Sequence, residues 1–374
     1  MDKQTKTVAV LSSHTPSLFW FRMEMMKEFL QRGWRVFAIG NESETDWAAQ
    51  FHAEGIEYQQ IQVQRNGINP FHDLKTLSSI KKLLRSIRPD KVFCFQAKTI
   101  IYGTIAANAL DITDVYPLIA GVGSAFLSDS LKARLVRTAL TTEYRYSMRK
   151  CPAVFFQNED DERLFRRYHI ITKQKTVRLH GSGVNLERFQ VMPLPDKPAF
   201  LCISRLIRDK GVMEYLEACR MLKQSHPEVR CMLVGPYDSN PSAIKPEELA
   251  PYVESGVVEY FGEQKDVRPY LAQASVFVLP SYREGTPKTN LEAMACGRAV
   301  ITTDAPGCRE TVRDGVNGLL VLVRDSKAVY QAMNRLVENP EMLVHMGRQG
   351  RKQAEEIFNV RFVNEKICET MEIK

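Results

Sequence analysis

No apolar stretch in these 374 residues approaches the roughly 18 to 20 consecutive residues that a membrane-spanning helix needs, so the sequence predicts no transmembrane segment. The opening, Met1-Asp2-Lys3-Gln4-Thr5-Lys6, leads directly into a short apolar run. It has neither the longer apolar core nor the small-residue cleavage site of a secretory leader. The expectation is a cytoplasmic chain, soluble or peripheral on a membrane. The eight cysteines, Cys94, Cys151, Cys202, Cys219, Cys231, Cys296, Cys308 and Cys368, include no Cys-x-x-Cys pair. Several, such as Cys202 and Cys231, sit in apolar runs. They read as reduced core residues, and a disulfide framework or zinc site is not expected. No strong excess of one charge is present either: 51 basic against 44 acidic residues give +7. That balance permits an anionic lipid, a nucleic acid or a diphosphate as partner and selects none of them. Internal repeats and low-complexity segments are absent from the sequence.

What is present is alternation. Hydrophobic content of 44% and charged content of 25% are values of a globular chain, and 374 residues suffice for two domains. Short apolar runs predict strands at Thr7–Leu11, Arg35–Ile39, Glu57–Val63, Lys91–Phe95, Tyr116–Ile119, Ala153–Phe156 and Thr176–Leu179. Helical patterns such as Arg22–Gln31, Asp73–Ser86 and Asp160–Tyr168 lie between them. Arg188–Pro198 holds three prolines and reads as a linker. A second series follows at Ala199–Ile203, Arg230–Val234, Val257–Tyr260, Ser275–Leu279, Ala299–Thr303 and Leu319–Leu322. Strand and helix in alternation mean parallel sheets covered on both faces. The fold class is therefore α/β, with two doubly wound Rossmann-like domains facing a cleft. Ligands of such sheets bind beyond the carboxyl ends of the strands. The predicted boundaries are residues 1–185 for the first domain, 186–198 for the linker, 199–355 for the second domain and 356–374 for a final helix.

The most informative stretch runs from Arg283 to Gly297 and carries Glu284 and Glu292 eight residues apart. The apolar run Val276-Phe277-Val278-Leu279-Pro280 precedes it, a loop with Gly285 follows, and Thr286-Pro287 is expected to cap and open a helix that Gly297 closes. Strand, glycine loop and helix N-terminus make an anion site, because unpaired N–H groups and the helix dipole converge there. Two carboxylates would repel that anion, but they accept hydrogen bonds well from neutral hydroxyls. An anion joined to hydroxyls describes a sugar nucleotide.

This stretch resembles the Glu-x7-Glu signature of retaining glycosyltransferases of family 4, which have the two-domain GT-B fold. The resemblance implies that Glu284 meets the transferred sugar and Glu292 the ribose. Ser204-Arg205-Leu206-Ile207-Arg208-Asp209-Lys210-Gly211 resembles the family's Arg-x4-Lys element, whose cations clamp the donor diphosphate. Fixed cations stabilise the charge that grows on a leaving nucleoside diphosphate, Arg gripping two oxygens and Lys adding a point charge. Val234-Gly235-Pro236 matches a further family turn. Tyr260-Phe261-Gly262-Glu263-Gln264-Lys265-Asp266-Val267 matches the segment that usually lies along the base, so Gly262 and Glu263 with their neighbours are assigned to uracil. Gly285 and the backbone of Thr286, Pro287, Lys288 and Thr289 are assigned to the distal phosphate. No Asp-x-Asp follows a strand, and no essential metal or other cofactor is expected beyond the UDP-sugar donor itself. Ala305-Pro306-Gly307-Cys308-Arg309-Glu310 departs from the family's Gly-Gly-x-x-Glu by one glycine.

The first loop, Ser12-Ser13-His14-Thr15-Pro16-Ser17-Leu18-Phe19-Trp20-Phe21-Arg22, lacks the Gly-Gly that many members carry. It resembles a narrower subgroup, the α-1,3-N-acetylgalactosaminyltransferases acting on bacillosamine carried by undecaprenyl diphosphate. Asn69-Pro70-Phe71, Gly121-Val122-Gly123-Ser124, Gly181-Ser182-Gly183-Val184-Asn185 and Leu279-Pro280-Ser281-Tyr282 match it too. The family's usual histidine is missing from the Gly121–Ser124 turn. His14 is the candidate to stand near the acceptor hydroxyl, the alternative being a loop histidine without a role. The resemblance also implies a front-face route in which the leaving phosphate takes the acceptor proton. It implies that the final helix crosses back onto the first, acceptor-binding domain.

Lys132, Arg134, Arg137, Arg145, Arg149 and Lys150 crowd Ser130–Lys150, with Glu143 the only acid and Leu131, Leu135, Val136, Leu140, Tyr144 and Met148 interleaved. A basic amphipathic helix suits the inner membrane surface and a polyprenyl-diphosphate-linked saccharide, and the alternative is a solvated face packed on the core by its apolar side. The expected function is transfer of a hexose or N-acetylhexosamine from a UDP-sugar to an undecaprenyl-diphosphate-linked sugar, with nucleic acid excluded as a partner. A UDP-sugar 2-epimerase of the same fold and a non-catalytic sugar-nucleotide module are the rival classes.

Overall fold

The computed structural model describes residues 5–64, 69–122, 126 and 130–374, Lys132 by its backbone alone. Gly123 and Ser124 of the motif above, and the Lys132 side chain, lie outside the described residues. The chain divides into two units: residues up to Ser182 together with Val363–Lys374, and Gly183–Phe362.

In the first unit β1 (Thr7–Leu11), β2 (Arg35–Gly40), β3 (Glu57–Gln60), β4 (Lys91–Phe95), β5 (Val115–Ile119), β6 (Ala153–Phe156) and β7 (Lys175–Arg178) form one sheet in the order β3-β2-β1-β4-β5-β6-β7. Every pairing is parallel, with Val8 opposite Val36 on one side and Lys91 on the other. β1, β4 and β5 are buried at every position, as strands covered on both faces must be. The period of two sorts their side chains: Val8 and Val10 enter one apolar layer, Ala9 and Leu11 the other. The last helix, Val360–Met371, places Val363, Ile367, Cys368 and Met371 in the layer of Val8 and Val10. Arg32 fastens its end by donating to the Ile373 carbonyl at 3.0 Å.

In the second unit β8 (Ala199–Ile203), β9 (Arg230–Val234), β10 (Glu259–Tyr260), β11 (Val276–Leu279), β12 (Ala299–Thr303) and β13 (Gly318–Val321) give the order β10-β9-β8-β11-β12-β13, again all parallel. Strand order reverses between β1 and β4 in one sheet and between β8 and β11 in the other. These are the topological switch points at which open α/β sheets bind ligands.

Several local expectations shift: β3 ends at Gln60 and not Val63, and the first helix begins at Thr15 and not Arg22. β10 keeps only two of the four residues expected, because the Val257 and Val258 amides both turn back to the Tyr252 carbonyl, at 2.9 and 3.1 Å. The helix after β11 begins at Lys288 and not at Pro287: Pro287 is extended (φ −68°, ψ 111°) and is itself the cap, with no side-chain cap bond. The proline segment expected as a linker is fastened to the second unit. The buried Arg298 guanidinium donates to the carbonyls of Met192 (2.7 Å), Pro193 (2.9 Å) and Leu271 (2.9 Å), and Arg351 donates to that of Phe189 at 3.0 Å. All eight cysteines are buried.

Candidate functional site

In the second unit the loops leaving β8, β9, β10, β11 and β12 meet beyond the carboxyl ends of the strands, and glycines permit the meeting. Gly211, at φ 68°, lies so close to the Pro280 carbonyl that a Cβ would stand 2.0 Å from its oxygen. The Tyr282 amide donates to the Asp209 carbonyl at 2.9 Å beside it. These contacts bind the β8 loop, with Lys210, to the β11 loop, with Glu284. Gly235, at φ 147°, leaves 1.8 Å between such a Cβ and the Ser204 carbonyl, and its amide donates to Gly262 at 2.8 Å. Gly307, at φ 83°, sits 2.2 Å from the Glu284 carbonyl by the same measure, and the Glu284 amide donates to Pro306 at 2.9 Å. A side chain at any of the three meets rigid backbone in a conformation that favours glycine.

The structure brings Arg205, Lys210, Glu284, Gly285, Thr286, Pro287, Lys288, Thr289 and Glu292 to the two sides of the β8/β11 switch point, and Gly262 and Glu263 to the end of β10. The Lys210 ammonium pairs with Glu284 Oε1, which also accepts from Ser281 Oγ at 2.8 Å. Arg205 pairs with Asp238 Oδ2 at 2.8 Å, and Asp238 Oδ1 closes an Asx turn onto the Asn240 amide at 2.7 Å. Thus each cation of the Arg-x4-Lys element meets a carboxylate in the structure. Asp238 carries no sequence signal beyond that of an ordinary turn residue, and Ser281 stands in the Leu279-Pro280-Ser281-Tyr282 match without a role of its own.

Glu292 projects from the first turns of the helix Lys288–Ala295 and is 8% exposed. Burial raises its carboxyl pKa above the ordinary range, and nearby Lys288 and Arg188 partly offset that. Lys288 Nζ stands 3.7 Å from it. Arg188, expected only as a linker residue, therefore contributes to the field at Glu292. Glu263 is exposed, and the Gly262 carbonyl is occupied by Gly235. Among the described residues no group of three His, Cys, Asp or Glu side chains could hold a metal ion.

His14 belongs to the first unit, in the loop after β1 at its own switch point. Its Nδ1 is 2.8 Å from Ser17 Oγ. Across the switch point Gln96, first residue after β4, adopts φ 71° and ψ 141°. A side chain in this largely glycine-only region costs on the order of 1–3 kcal/mol. Gln96 Oε1 accepts from Ser12 Oγ (2.9 Å) and Ser13 Oγ (2.7 Å), and its Nε2 donates to Ser17 Oγ (3.3 Å).

The basic helix spans Leu131–Met148, capped by Ser130 Oγ on the Ala133 amide at 3.2 Å. Tyr144 and Met148 are buried in the core, whereas Leu131 and Leu135 are 76% and 67% exposed and share a face with Arg134. Arg145 is engaged in the fold: it donates to the carbonyls of Tyr168 (2.8 Å) and His169 (3.0 Å).

Residues 7–158 match the sequence family described as "Glycosyl transferase 4-like", and residues 185–353 match "Glycosyl transferases group 1". The chain is 28% identical over 361 residues to N,N'-diacetylbacillosaminyl-diphospho-undecaprenol alpha-1,3-N-acetylgalactosaminyltransferase of Campylobacter jejuni, covering 93% of each chain. It is 25% identical to putative glycosyltransferase EpsD of Bacillus subtilis, over 92% of this chain and 91% of that one. Sucrose-phosphate synthase from Thermosynechococcus elongatus has the same fold, with a TM-score of 0.81 at 20% identity over 99% of this chain and 98% of the other. Anabaena Alr3699/HepE, solved in complex with UDP and glucose, superposes with a TM-score of 0.77 at 17% identity, covering 99% and 100%.

Proposed function

The chain belongs to the glycosyltransferases, its two halves matching the two family descriptions, and we propose that it moves a hexose or N-acetylhexosamine from a UDP-sugar to an undecaprenyl-diphosphate-linked sugar with retention. The most specific form of the proposal is α-1,3-N-acetylgalactosaminyl transfer, which the name of the Campylobacter jejuni relative supports. The observation that carries it is the gathering of Arg205, Lys210, Glu284 and Glu292 at one switch point. Arg205 and Lys210 neutralise the diphosphate as the anomeric C–O bond breaks. Glu284 accepts hydrogen bonds from the transferred sugar and Glu292 from the ribose. The acceptor oxygen bonds to the anomeric carbon on the face the diphosphate leaves, and its proton passes to the leaving phosphate oxygen. No step calls on a metal.

A screen of UDP-sugars against undecaprenyl-diphosphate N-acetylhexosamine, with the product linkage read by NMR, tests this. The expected product is α-1,3-linked and forms only with acceptor present. An epimerised UDP-sugar formed without acceptor would replace transfer by 2-epimerisation, and binding without turnover would leave a sugar-nucleotide module.

The acceptor's lipid places the enzyme, in this proposal, on the inner face of the membrane. No helix among the described residues is long and apolar enough to cross it. Exposed Leu131 and Leu135 beside Arg134 suit an anionic surface, each cation near it contributing on the order of 1 kcal/mol. Binding to anionic vesicles should weaken with salt, since the screening length is about 8 to 10 Å near physiological ionic strength. The combined change Leu131→Ser, Arg134→Glu and Leu135→Ser should release the protein from vesicles in flotation while a water-soluble acceptor is still used. Flotation of that variant with wild-type strength would assign this face to solvent.

A further inference from the structure

We propose that Arg22 seats a phosphate-class anion beneath the switch point of the first unit, and that this anion is the diphosphate of the acceptor. The second clause rests on the transferase reading above. Arg22 closes the first-loop motif that begins at Ser12, and the donor chemistry makes no use of it. It lies on the helix Thr15–Gln31 and is 3% exposed. Its guanidinium packs against two rings of β4, 5.3 Å from the centroid of Phe95 and 6.0 Å from that of Phe93. Among the described residues it makes no hydrogen bond and no ion pair, and its Nε is buried without any partner. Buried charges are almost always paired, because an unpaired one loses its hydration without compensation. The phenyl faces attract the cation, but they leave the N–H groups of this donor-only side chain without an acceptor oxygen. Burial pulls its pKa down to about 10, which still leaves it a cation at neutral pH. The group it lacks is an anion with oxygens to offer.

Direction and neighbours bear on where that anion comes from. The helix starts at the carboxyl end of β1 and runs back along the sheet, and helical side chains lean toward their own N-terminus. The guanidinium is thus carried toward the carboxyl ends of the strands, and it lies nearer to Phe95, the last residue of β4, than to Phe93. The next residue is Gln96, whose positive φ and three serine contacts fix that edge. Of the three guanidinium nitrogens only Nε is wholly cut off from solvent. The two terminal nitrogens, the fork that grips phosphate oxygens in pairs, are the ones within reach of an anion. The helix N-terminus offers no rival seat, because the Thr15 amide already donates to Glu42 Oε2 at 2.6 Å. Lys98, at the same edge, is paired with Asp73 at 2.6 Å. The donor diphosphate has Arg205 and Lys210 in the second unit. In a lipid-linked monosaccharide the other diphosphate is joined to the sugar that carries the attacking hydroxyl. It must therefore lie one ring away from the reaction, and a cation under the switch point of the acceptor-binding unit suits it.

The first test needs no turnover. Inorganic diphosphate is titrated calorimetrically into the protein at saturating UDP, so that the donor site is filled. The wild type should bind it, and Arg22→Met should bind it about tenfold more weakly. The melting temperature of Arg22→Met should equal or exceed the wild type's, because an unpaired buried charge gives way to an apolar chain. Arg22→Lys keeps the charge without the fork. It should lose severalfold in affinity, and it covers the case in which Arg22→Met does not fold. With undecaprenyl-diphosphate N-acetylhexosamine as acceptor, Arg22→Met should raise the acceptor KM about tenfold and leave the UDP-sugar KM unchanged. Failure of the UDP-saturated wild type to bind diphosphate, or equal binding by the wild type and the variants, overturns the anion seat. An unchanged acceptor KM, or a rise confined to the UDP-sugar KM, overturns the assignment to the acceptor. A wild type that transfers from no UDP-sugar would remove the transferase reading instead, and the titration would still decide whether Arg22 holds an anion.

Discussion

Arg205→Ala should lower turnover by roughly 100-fold, equivalent to about 2.7 kcal/mol of transition-state stabilisation, while the melting temperature stays close to that of the wild type. The two halves of this expectation have separate grounds. Arg205 is about half exposed and pairs with Asp238 at the surface, and such pairs contribute about 0–1 kcal/mol to folding. Its proposed partner in turnover is a diphosphate whose charge grows as the bond breaks, which only a fixed cation can meet without reorganisation. Lys210→Ala should show the contrasting pattern of lost turnover with lost stability, because the Glu284 carboxylate, 13% exposed, would lose the ammonium that offsets its charge, and removing one member of a largely buried ion pair is costly. Steady-state kinetics with thermal melts on both variants provide the check. Turnover of Arg205→Ala within a few-fold of wild type would remove the diphosphate clamp from the proposal.

The alternation of apolar runs was enough to place most strands, since each central strand of a covered parallel sheet must be apolar throughout. The residues assigned to the donor were also proposed from short stretches of sequence, because Arg205 and Lys210 stand five residues apart and Glu284 and Glu292 eight. What stayed hidden is long-range. Nothing near Arg298 indicates that its guanidinium will hold Met192 and Pro193, 106 and 105 residues away, so the proline segment looked like an unattached linker. The pairing of Lys210 with Glu284, across 74 residues, depends on Gly211 packing on Pro280. The pairing of Arg205 with Asp238 depends likewise on Gly235 packing on Ser204. These are tertiary contacts of glycines that look like ordinary turn residues. Gln96 carries no local sign of its positive φ: Phe95-Gln96-Ala97 contains no glycine, asparagine or aspartate, the residues for which that geometry is least costly. Pro287 failed as a first helical residue for a subtler reason. Its fixed φ suits both a helix and an extended cap, and ψ, which proline leaves open, decided for the cap.

Glu292→Gln should make the protein more stable at neutral pH and less able to bind UDP. Burial raises the Glu292 pKa in the folded state, so the folded chain holds that proton more tightly than the unfolded chain does. The resulting stability is fully present below the unfolded carboxyl value, about 4.3, and is lost as pH rises through the raised folded value. Lys288 and Arg188 soften the loss without removing it, Lys288 Nζ standing 3.7 Å away. A neutral amide of the same shape has no charge to desolvate, so its melting temperature should exceed the wild type's at neutral pH and fall less between mildly acidic and neutral conditions. A carboxylate kept at such a cost needs a use, and the ribose hydroxyls supply one in the proposed complex. Hydrogen bonds to a charged group contribute about 1.5–3 kcal/mol, so calorimetric titration should show UDP binding weakened roughly 10- to 150-fold in Glu292→Gln. Glu284→Gln should behave differently: UDP affinity almost unchanged and transfer sharply reduced, because Glu284 is assigned to the sugar that UDP lacks. Equal losses of UDP affinity in the two variants would contradict the division of roles. A Glu292→Gln protein that melts below the wild type at neutral pH would show that Lys288 and Arg188 outweigh burial, and that this carboxylate stabilises the fold.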